Sequence, residues 1–513
     1  MSKPYDFGGV NLNAGEDSSG ANPTSETPFC IAILGDFSGR ANRGLTDPQS
    51  IGKRRAVLVD RDNFDEVLAK FKPELRLPLG GGGSLHLNFS EIDDFHPDRI
   101  YQSLDAFAKL RALRSRLQDR STFREAADEL GLGRKEPASA AQPQPEAVAS
   151  RPPSAVSLAS GSLLDDMIEQ TEVRAELERP KRETDAVRAF AQRVAAESLI
   201  TTPDPRQPEI LAVMDRAIGA LMQAVLHNPD FQALEAIWRA TFLLVRQLET
   251  GSQLKLCLFD ISKQELAADL QSSPDVRGTG TYRLLVEKSV ETAGADVWSV
   301  LVGNYTFGAE KNDWAVLSRM ARIAHRAGAA FLAHASSKVL GCASLASSPH
   351  PRDWGQAPDA AAWSEFRHSA EAAAVGLGLP RFLLRLPYGQ KTSAAEAFAF
   401  EELSDPIAHE DYLWGNPAFV LALLLGQSFA QSGWEMRVGE AVGMSGLPLH
   451  TYSKNGESHC QACAEVLLTE EAVERMLDEG LIPLVSFKNR DSVRVARFQS
   501  ATDPQRRLSG RWV

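Results

Sequence analysis

The sequence predicts an α/β protein: a small α+β unit near the N-terminus, then a larger unit with a mixed or mostly parallel sheet covered by helices. Three observations carry this. Apolar runs with strand character, "LKLCLFDI", "DVWSVLVGNY" and "AAFLAHAS", alternate with helical patterns such as "WAVLSRMARIAHRAG", the βαβα rhythm of a parallel sheet. Leu75, Leu77 and Leu79, then Leu85, Leu87 and Phe89, recur at period two on either side of Gly80 to Gly83, which marks a hairpin or a strand–loop–strand. A stretch rich in Pro, Ala and Ser separates the two patterns.

In chain order, residues 1–27 read as a flexible tail of Ser, Asn and Gly. Residues 28–132 form the small unit, opened by the apolar strand of "IAILGDFSGR". Asp62 is placed to cap a helix carrying Phe64, Val67, Leu68 and Phe71, with Asp65 and Glu66 in its first turn. Pro97 opens another, with Ile100, Tyr101, Leu104, Phe107 and Ala108 at helical spacing. Residues 133–160 are an extended linker, too poor in large apolar groups to pack. Residues 161–513 form the larger unit. "GSLLDDMIEQ" puts Leu163, Leu164, Met167 and Ile168 in one apolar stripe between two polar stretches. A helical pattern follows from Glu209 to Leu226. "NPDF" then restarts a helix, with Asn228 as cap and Pro229 at the first helical position. Its buried face is Phe231, Leu234, Trp238, Phe242 or Thr241, Val245 and Leu248. Ser262 and Glu265 make a capping box for the helix after "LKLCLFDI". "RFLLRLPYG" reads as a further strand. "PAFVLALLLGQSFAQSGW" has too short an apolar core to span a bilayer and reads as a helix buried on all sides.

The 513 residues favour two to four domains. The formal charge of −12 disfavours general nucleic-acid binding. Five scattered cysteines are no disulfide framework, which points to a reducing compartment. No secretory signal precedes the first strand.

The chemistry-bearing motifs are few. From Gly39 the chain reads G-x-x-x-x-G-L-T, one residue from a phosphate-binding loop, but Leu45 replaces the lysine that reaches the phosphates and Asp36 adds negative charge nearby. A strand followed by a turn is the better reading. His450, His459, Cys460 and Cys463 in "HTYSKNGESHCQAC" carry zinc-like elements, yet no second C-x-x-C completes a finger. They read as a loop with two ordinary cysteines; an enzyme using them is the least favoured of three functional classes. Asp93–Asp94 and Asp165–Asp166 read as solvated faces. No nucleophile elbow, H-E-x-x-H or triad is present, so no catalytic residue, cofactor or metal is assigned, and a structural or binding role is favoured.

Two groups of segments carry a family resemblance. "IAILGDFSGR", "VDRDNFDEVLAKFKPELRL", "LHLNFSEIDDFHPDRI" and "LRALRSRL", over about residues 29–130, resemble the small subunit of the type VI secretion contractile sheath, the TssB or VipA family. The family positions are Gly35, Asp36, Phe37, Ser38, Gly39 and Arg40, then Asn63 and Phe64. "SLLDDMIEQ", "HNPDFQALEAIWRATFLLV", "LPRFLLRLPYG", "FEEL", "HEDYLWGNPAFVLALLL", "GLPLHTY" and "EGLIPLVSFKN", over most of residues 161–500, resemble the large subunit, TssC or VipB. Its family positions are Phe231, Leu234, Glu235, Trp238, Arg239, Pro387, Tyr388, Trp414, Gly415 and Asn416. The resemblance implies a fusion of both sheath proteins. It departs from the family at "WRA" (Trp238 to Ala240), at "ACAE" (Ala462 to Glu465) and in ending at Val513, where typical large subunits continue.

What the resemblance implies is mechanical. Protomers add helically around an inner tube, strands pass between neighbours, and contraction ejects the tube. The implied partners are copies of itself or other sheath subunits, the inner-tube protein, the baseplate and an AAA+ recycling unfoldase, in the bacterial cytoplasm, without nucleic acid or membrane insertion. Leu163, Leu164, Met167 and Ile168 would fill the unfoldase groove, or pack on their own domain. The alternative function is a non-propagating cap or regulator of a sheath built by other subunits.

Overall fold

Seven successive residues, Phe29 to Gly35, are all buried. Burial of both faces is what a strand inside a parallel sheet requires. The computed structural model describes residues 23–79, 83–119, 122–130, 206–454 and 456–512. The strands of the first unit are β1 (Phe29–Gly35), β2 (Val57–Val59), β3 (Glu74–Leu79) and β4 (Gly83–Asn88). Those of the second are β5 (Leu254–Asp260), β6 (Trp298–Phe307), β7 (Ala330–Ala335), β8 (Val375–Leu379), β9 (Phe382–Leu383), β10 (Trp414–Gly415), β11 (Gly443–Met444), β12 (His450–Lys454), β13 (Glu457–Gln461), β14 (Ile482–Ser486) and β15 (Val493–Val495).

The main sheet has nine strands in the order β11-β15-β14-β8-β7-β6-β1-β5-β2. From β14 to β5 every pair is parallel. The edge partners β2, β15 and β11 join antiparallel. The mixed sheet and its helices give the α/β class read from the sequence. Most consequentially, β1 lies between β5 and β6: Ile31 is in register with Leu256 on one side and Val300 on the other. The sheet is therefore built from both parts of the chain: β1, an interior strand third from the β2 edge, comes from the N-terminal segment.

Alternation along the strands splits the apolar side chains between two cores. Phe29, Ile31 and Ile33 pack in one core with the helices Pro229–Gln247 and Pro417–Ser432. Cys30, Ala32 and Leu34 pack in the other with the helix Lys311–Ala327. Helix Pro417–Ser432 is buried over almost its whole length, as its unbroken apolar run predicts. Among the described residues no single helix is long and apolar enough to cross a membrane.

Several local readings hold. Asn228 caps its helix by accepting from the Asp230 and Phe231 amides, and Ser262 with Glu265 forms the capping box. β3 and β4 pair antiparallel, burying Leu75, Leu77, Leu85 and Leu87. Others need correction. The first helix, Phe64–Phe71, starts after Asn63 rather than at an Asp62 cap. The helix opened by Pro97 breaks at Leu104 and resumes as Asp105–Gln118. "RFLLRLPYG" supplies only the two residues of β9, which pair with β10. The main-sheet strand is the preceding "VGLGL" of β8, whose glycines weaken a strand signal. There they are needed for close packing: a Cβ on Gly376 would lie 2.9 Å from Leu332 Cδ2, and one on Gly378 2.9 Å from Pro417 Cβ. Residues 1–22 of the expected tail, the linker, and the stripe of Leu163, Leu164, Met167 and Ile168 lie outside the described residues.

Candidate functional site

The described residues converge on a joint, where the loop after β1 meets the second half of the chain. Asp36 accepts from the Arg40 amide at 2.7 Å and the Ala41 amide at 2.8 Å. Loop amides that cradle phosphate in a nucleotide site are here bound to a carboxylate of the loop itself. Phe37 is fully buried. Its amide and that of Ser38 donate to Asp260 Oδ1, at 2.9 and 3.2 Å, and Ser38 Oγ donates to Asp260 Oδ2 at 2.7 Å. Burial raises the Asp260 carboxyl, and Ser38 opposes that rise. Gly39 sits at φ +72°, and a Cβ there would lie 2.3 Å from the Glu74 carbonyl oxygen. Only glycine suits both the backbone and the space.

Beyond the loop, Arg40 and Arg54 converge on one carboxylate. Glu265 is fully buried and lies 2.9 Å from Arg40 Nη2 and 2.7 Å from Arg54 Nη2. It also accepts from the Asp47 amide at 2.9 Å and the Ser262 amide at 3.2 Å. Burial alone would push this carboxyl up; hydrogen bonds from Arg54 and Arg40 reverse the effect and hold it down at about 2.

The apolar half of the joint is centred on Trp238. Its Nε1 donates to the Phe37 carbonyl at 2.9 Å. Phe37, Phe64 and Phe71 meet its ring edge-on, with centroids 5.1, 5.8 and 5.7 Å away, the geometry that ring quadrupoles favour. Phe231 packs likewise against the stacked pair Phe89 and Phe95. Leu234 is buried in the same core. Gly35 lets this helix approach, because a Cβ there would lie 2.4 Å from Ile237 Cδ1. Asn63 accepts from the Asp60 amide at 2.9 Å and so closes the turn before Phe64.

The same helix carries a buried ion network on another side. Glu235 contacts Arg239 at 2.6 Å and Arg385 at 2.8 Å, and Arg385 also binds Glu402 at 2.7 Å. Arg239 Nη2 donates to the Tyr388 hydroxyl at 3.0 Å, and the Tyr388 amide donates to Glu402 at 2.7 Å. Burial raises the Glu235 carboxyl, but Arg385 and Arg239 outweigh it and hold the group below its ordinary value. Burial pushes the Tyr388 phenol up to about 12. Pro387 precedes Tyr388, and its carbonyl accepts from Thr392 Oγ1. Trp414 Nε1 donates to the His409 carbonyl at 2.9 Å. Gly415 leaves room for Leu384 and Phe382, and Asn416 caps the helix Pro417–Ser432 by accepting from the Ala418 amide.

The cysteine motif does not gather. His450 and His459 lie on the hairpin β12–β13, not in a loop. His450 Nδ1 is 2.8 Å from the Tyr412 hydroxyl, and the His459 ring stacks on Tyr452. Cys463 Sγ donates to the Pro448 and Arg490 carbonyls, and burial pushes its thiol up to about 11. The carboxylates of the neighbouring His409, Glu410 and Glu465 cluster are paired with Arg381.

Reading the sequence located Phe37, Trp238 and Glu235 but missed Asp260, Glu265 as an ion-pair centre, Arg54, Arg385 and Glu402. Charges set inside apolar strings, as in "LCLFDI" and "RFLLRLPYG", were the available signal.

Family comparison accounts for this two-part construction. Residues 9–129 match the VipA family of the type VI secretion system, and residues 208–502 match VipB (EvpB), the tail sheath N-terminal domain. The chain belongs to the type VI secretion tail-sheath family. The type VI secretion system sheath protein TssC1 of Pseudomonas aeruginosa is 32% identical over 352 residues, covering 66% of this chain and 70% of TssC1. TssB1 of the same organism is 31% identical over 111 residues, covering 20% of this chain and 62% of TssB1. The chain is thus a structural sheath subunit in which a TssB-like and a TssC-like part are fused, and the joint is where the two parts meet.

Proposed function

We propose that this chain is a two-part protomer that associates with other sheath subunits into a helical tube around an inner tube, and whose contraction ejects that tube. The supporting observation is β1: a TssB-like strand is inserted between two strands of a TssC-like sheet, so one chain supplies both components in fixed one-to-one ratio. Identical protomers added by a rotation that does not close generate such a helix. The baseplate and an AAA+ recycling unfoldase are proposed partners, the latter docking on Leu163, Leu164, Met167 and Ile168 in the helix-in-groove mode. The bacterial cytoplasm is the proposed compartment, and no catalytic role is assigned.

Negative-stain electron microscopy of the purified full chain, alone and co-expressed with separate sheath subunits and an inner-tube protein, tests this. Regular tubes containing the chain along their length are expected. Small particles under every condition refute helical assembly, and labelling confined to tube ends replaces it with a cap.

A further inference from the structure

The last part of the described chain carries positive charge that the joint does not use. Lys488, Arg490, Arg494, Arg497, Arg506 and Arg507 are all exposed. None of the six makes a salt bridge among the described residues. The acids within the same stretch are Asp491 and Asp503, so residues 488–507 carry a net positive charge in a chain whose formal charge is −12. Asp491 accepts from the Gly446 amide, which leaves it partly engaged.

These residues lie along one border of the sheet. Lys488 and Arg490 are in the turn between β14 and β15. Arg494 is on β15, between Gly443 of β11 and Val485 of β14. Arg497 Nη1 lies 3.1 Å from Gln505 Oε1, which places Arg497 near Arg506 and Arg507, with Asp478, which accepts from Gln505 Nε2 at 3.2 Å, the acid next to them. A surface cavity of about 660 Å³ opens along this border, lined by Gln247, Gln427, Met444, Phe487, Ser492 and Arg494 among others. Phe487 is 41% exposed, one of few large apolar side chains left open. Arg494, neutral amides and the exposed Phe487 ring thus line one groove, and the other five cations lie along the border outside it.

We propose that this border binds an acidic polypeptide segment, its carboxylates meeting the arginines and an apolar side chain entering the groove beside Phe487. Charge complementarity selects the partner. Over a Debye length of roughly 8 Å, a short acidic segment feels mainly the local patch. A long polyanion such as nucleic acid also meets the net negative charge of the rest of the chain. This interaction does not depend on the sheath reading, and a chain that forms no tubes remains able to show it.

The test uses the full chain and fluorescence anisotropy at low salt. The probes are a fluorescein-labelled oligoglutamate with one central leucine, its leucine-free counterpart, and a single-stranded DNA of equal charge. The leucine peptide is expected to bind and to lose affinity as salt rises. R494E/R497E is expected to weaken it about tenfold, in line with the leverage of local charge on association. R494Q/R497Q is expected to fall between. Reversing the exposed Lys70 and Lys109 is expected to change nothing. Phe487→Ser is expected to weaken the leucine peptide and spare the leucine-free one. Thermal midpoints equal to the parent chain exclude misfolding as the cause. Absence of peptide binding, binding indifferent to Arg494 and Arg497, or DNA binding tighter than peptide through the same residues would each overturn the proposal.

Discussion

Replacing Arg385 by methionine removes the cation shared by Glu235 and Glu402. Both carboxylates are at most 1% exposed, so neither regains water when the guanidinium goes. Glu235 keeps Arg239 at 2.6 Å, whereas Glu402 keeps the Tyr388 amide and a distant His227 at 3.9 Å. Breaking a buried pair from one side leaves an uncompensated charge and costs about 3–5 kcal/mol. Spread over several hundred residues, that is roughly a 5 °C fall in the thermal midpoint. The second step separates charge from packing. Adding Glu402→Gln to Arg385→Met removes the stranded charge, so the double variant is expected to recover about half of the loss. Glu235 has a lowered pKa in the parent, so its contribution is present above the ordinary carboxyl value and lost as pH falls through the folded one. In Arg385→Met, acidification toward pH 5 is expected to narrow the deficit, because buried carboxyls without a partner take up protons more readily. Differential scanning calorimetry of the three chains at neutral and mildly acidic pH provides the readout. An Arg385→Met chain as stable as the parent, or a double variant no better than the single, would falsify the account of this network.

Three further outcomes are expected. A protease site placed within residues 133–160 and cleaved is expected to leave the two fragments co-eluting on size exclusion, because β1 is hydrogen-bonded on both sides by strands of the other fragment. The Glu265 carboxyl falls from its ordinary 4.5 to about 2, so its contribution is complete above pH 4.5 and disappears as pH drops through about 2; Glu265→Gln is expected to lose stability at neutral pH and to flatten that acid limb in a pH-dependent melting series. Burial lowers His334 from 6.5 to about 4, which keeps the ring neutral; folding is expected to weaken as pH falls from 6.5 toward 4, by up to about 3 kcal/mol, and His334→Asn is expected to remove that component from the same series.

The fold class was legible wherever one periodicity dominated. β5, β6 and β7 are predominantly apolar runs, and the helices after Asn228 and Ser262 announce themselves through local caps. β8 was illegible because its glycines answer to neighbours distant in sequence: Leu332, Ile482 and Pro417. The joint divides in the same way. Phe37 and Trp238 could be named as apolar positions in motifs, but their shared hydrogen bond links residues far apart in the chain. Arg385 sits in an apolar string that reads as strand. Only the position of Glu235 and Glu402 around it shows why the chain turns aside there.

The fusion affects encounter more than affinity. Joining two binding surfaces in one chain raises their effective concentration to about millimolar order. That matters while the halves are apart. Once β1 is seated between β5 and β6, with Phe37 against Trp238 and Arg40 on Glu265, dissociation must break a sheet, an aromatic cluster and a buried ion pair together. The two parts also touch through helices in the joined state. Gln207 Nε2 donates to the Leu117 and Gln118 carbonyls, and Arg114 pairs with Asp215 at 2.6 Å, so the helix Asp105–Gln118 of the first part lies against the helix Arg206–Leu226 of the second. Lengthening the linker should therefore leave the stability of the joined protein almost unchanged, since each doubling of a flexible loop costs only about 0.6 kcal/mol. Its effect belongs in refolding kinetics, where a longer tether slows the docking of β1 and a cleaved one makes docking depend on protein concentration.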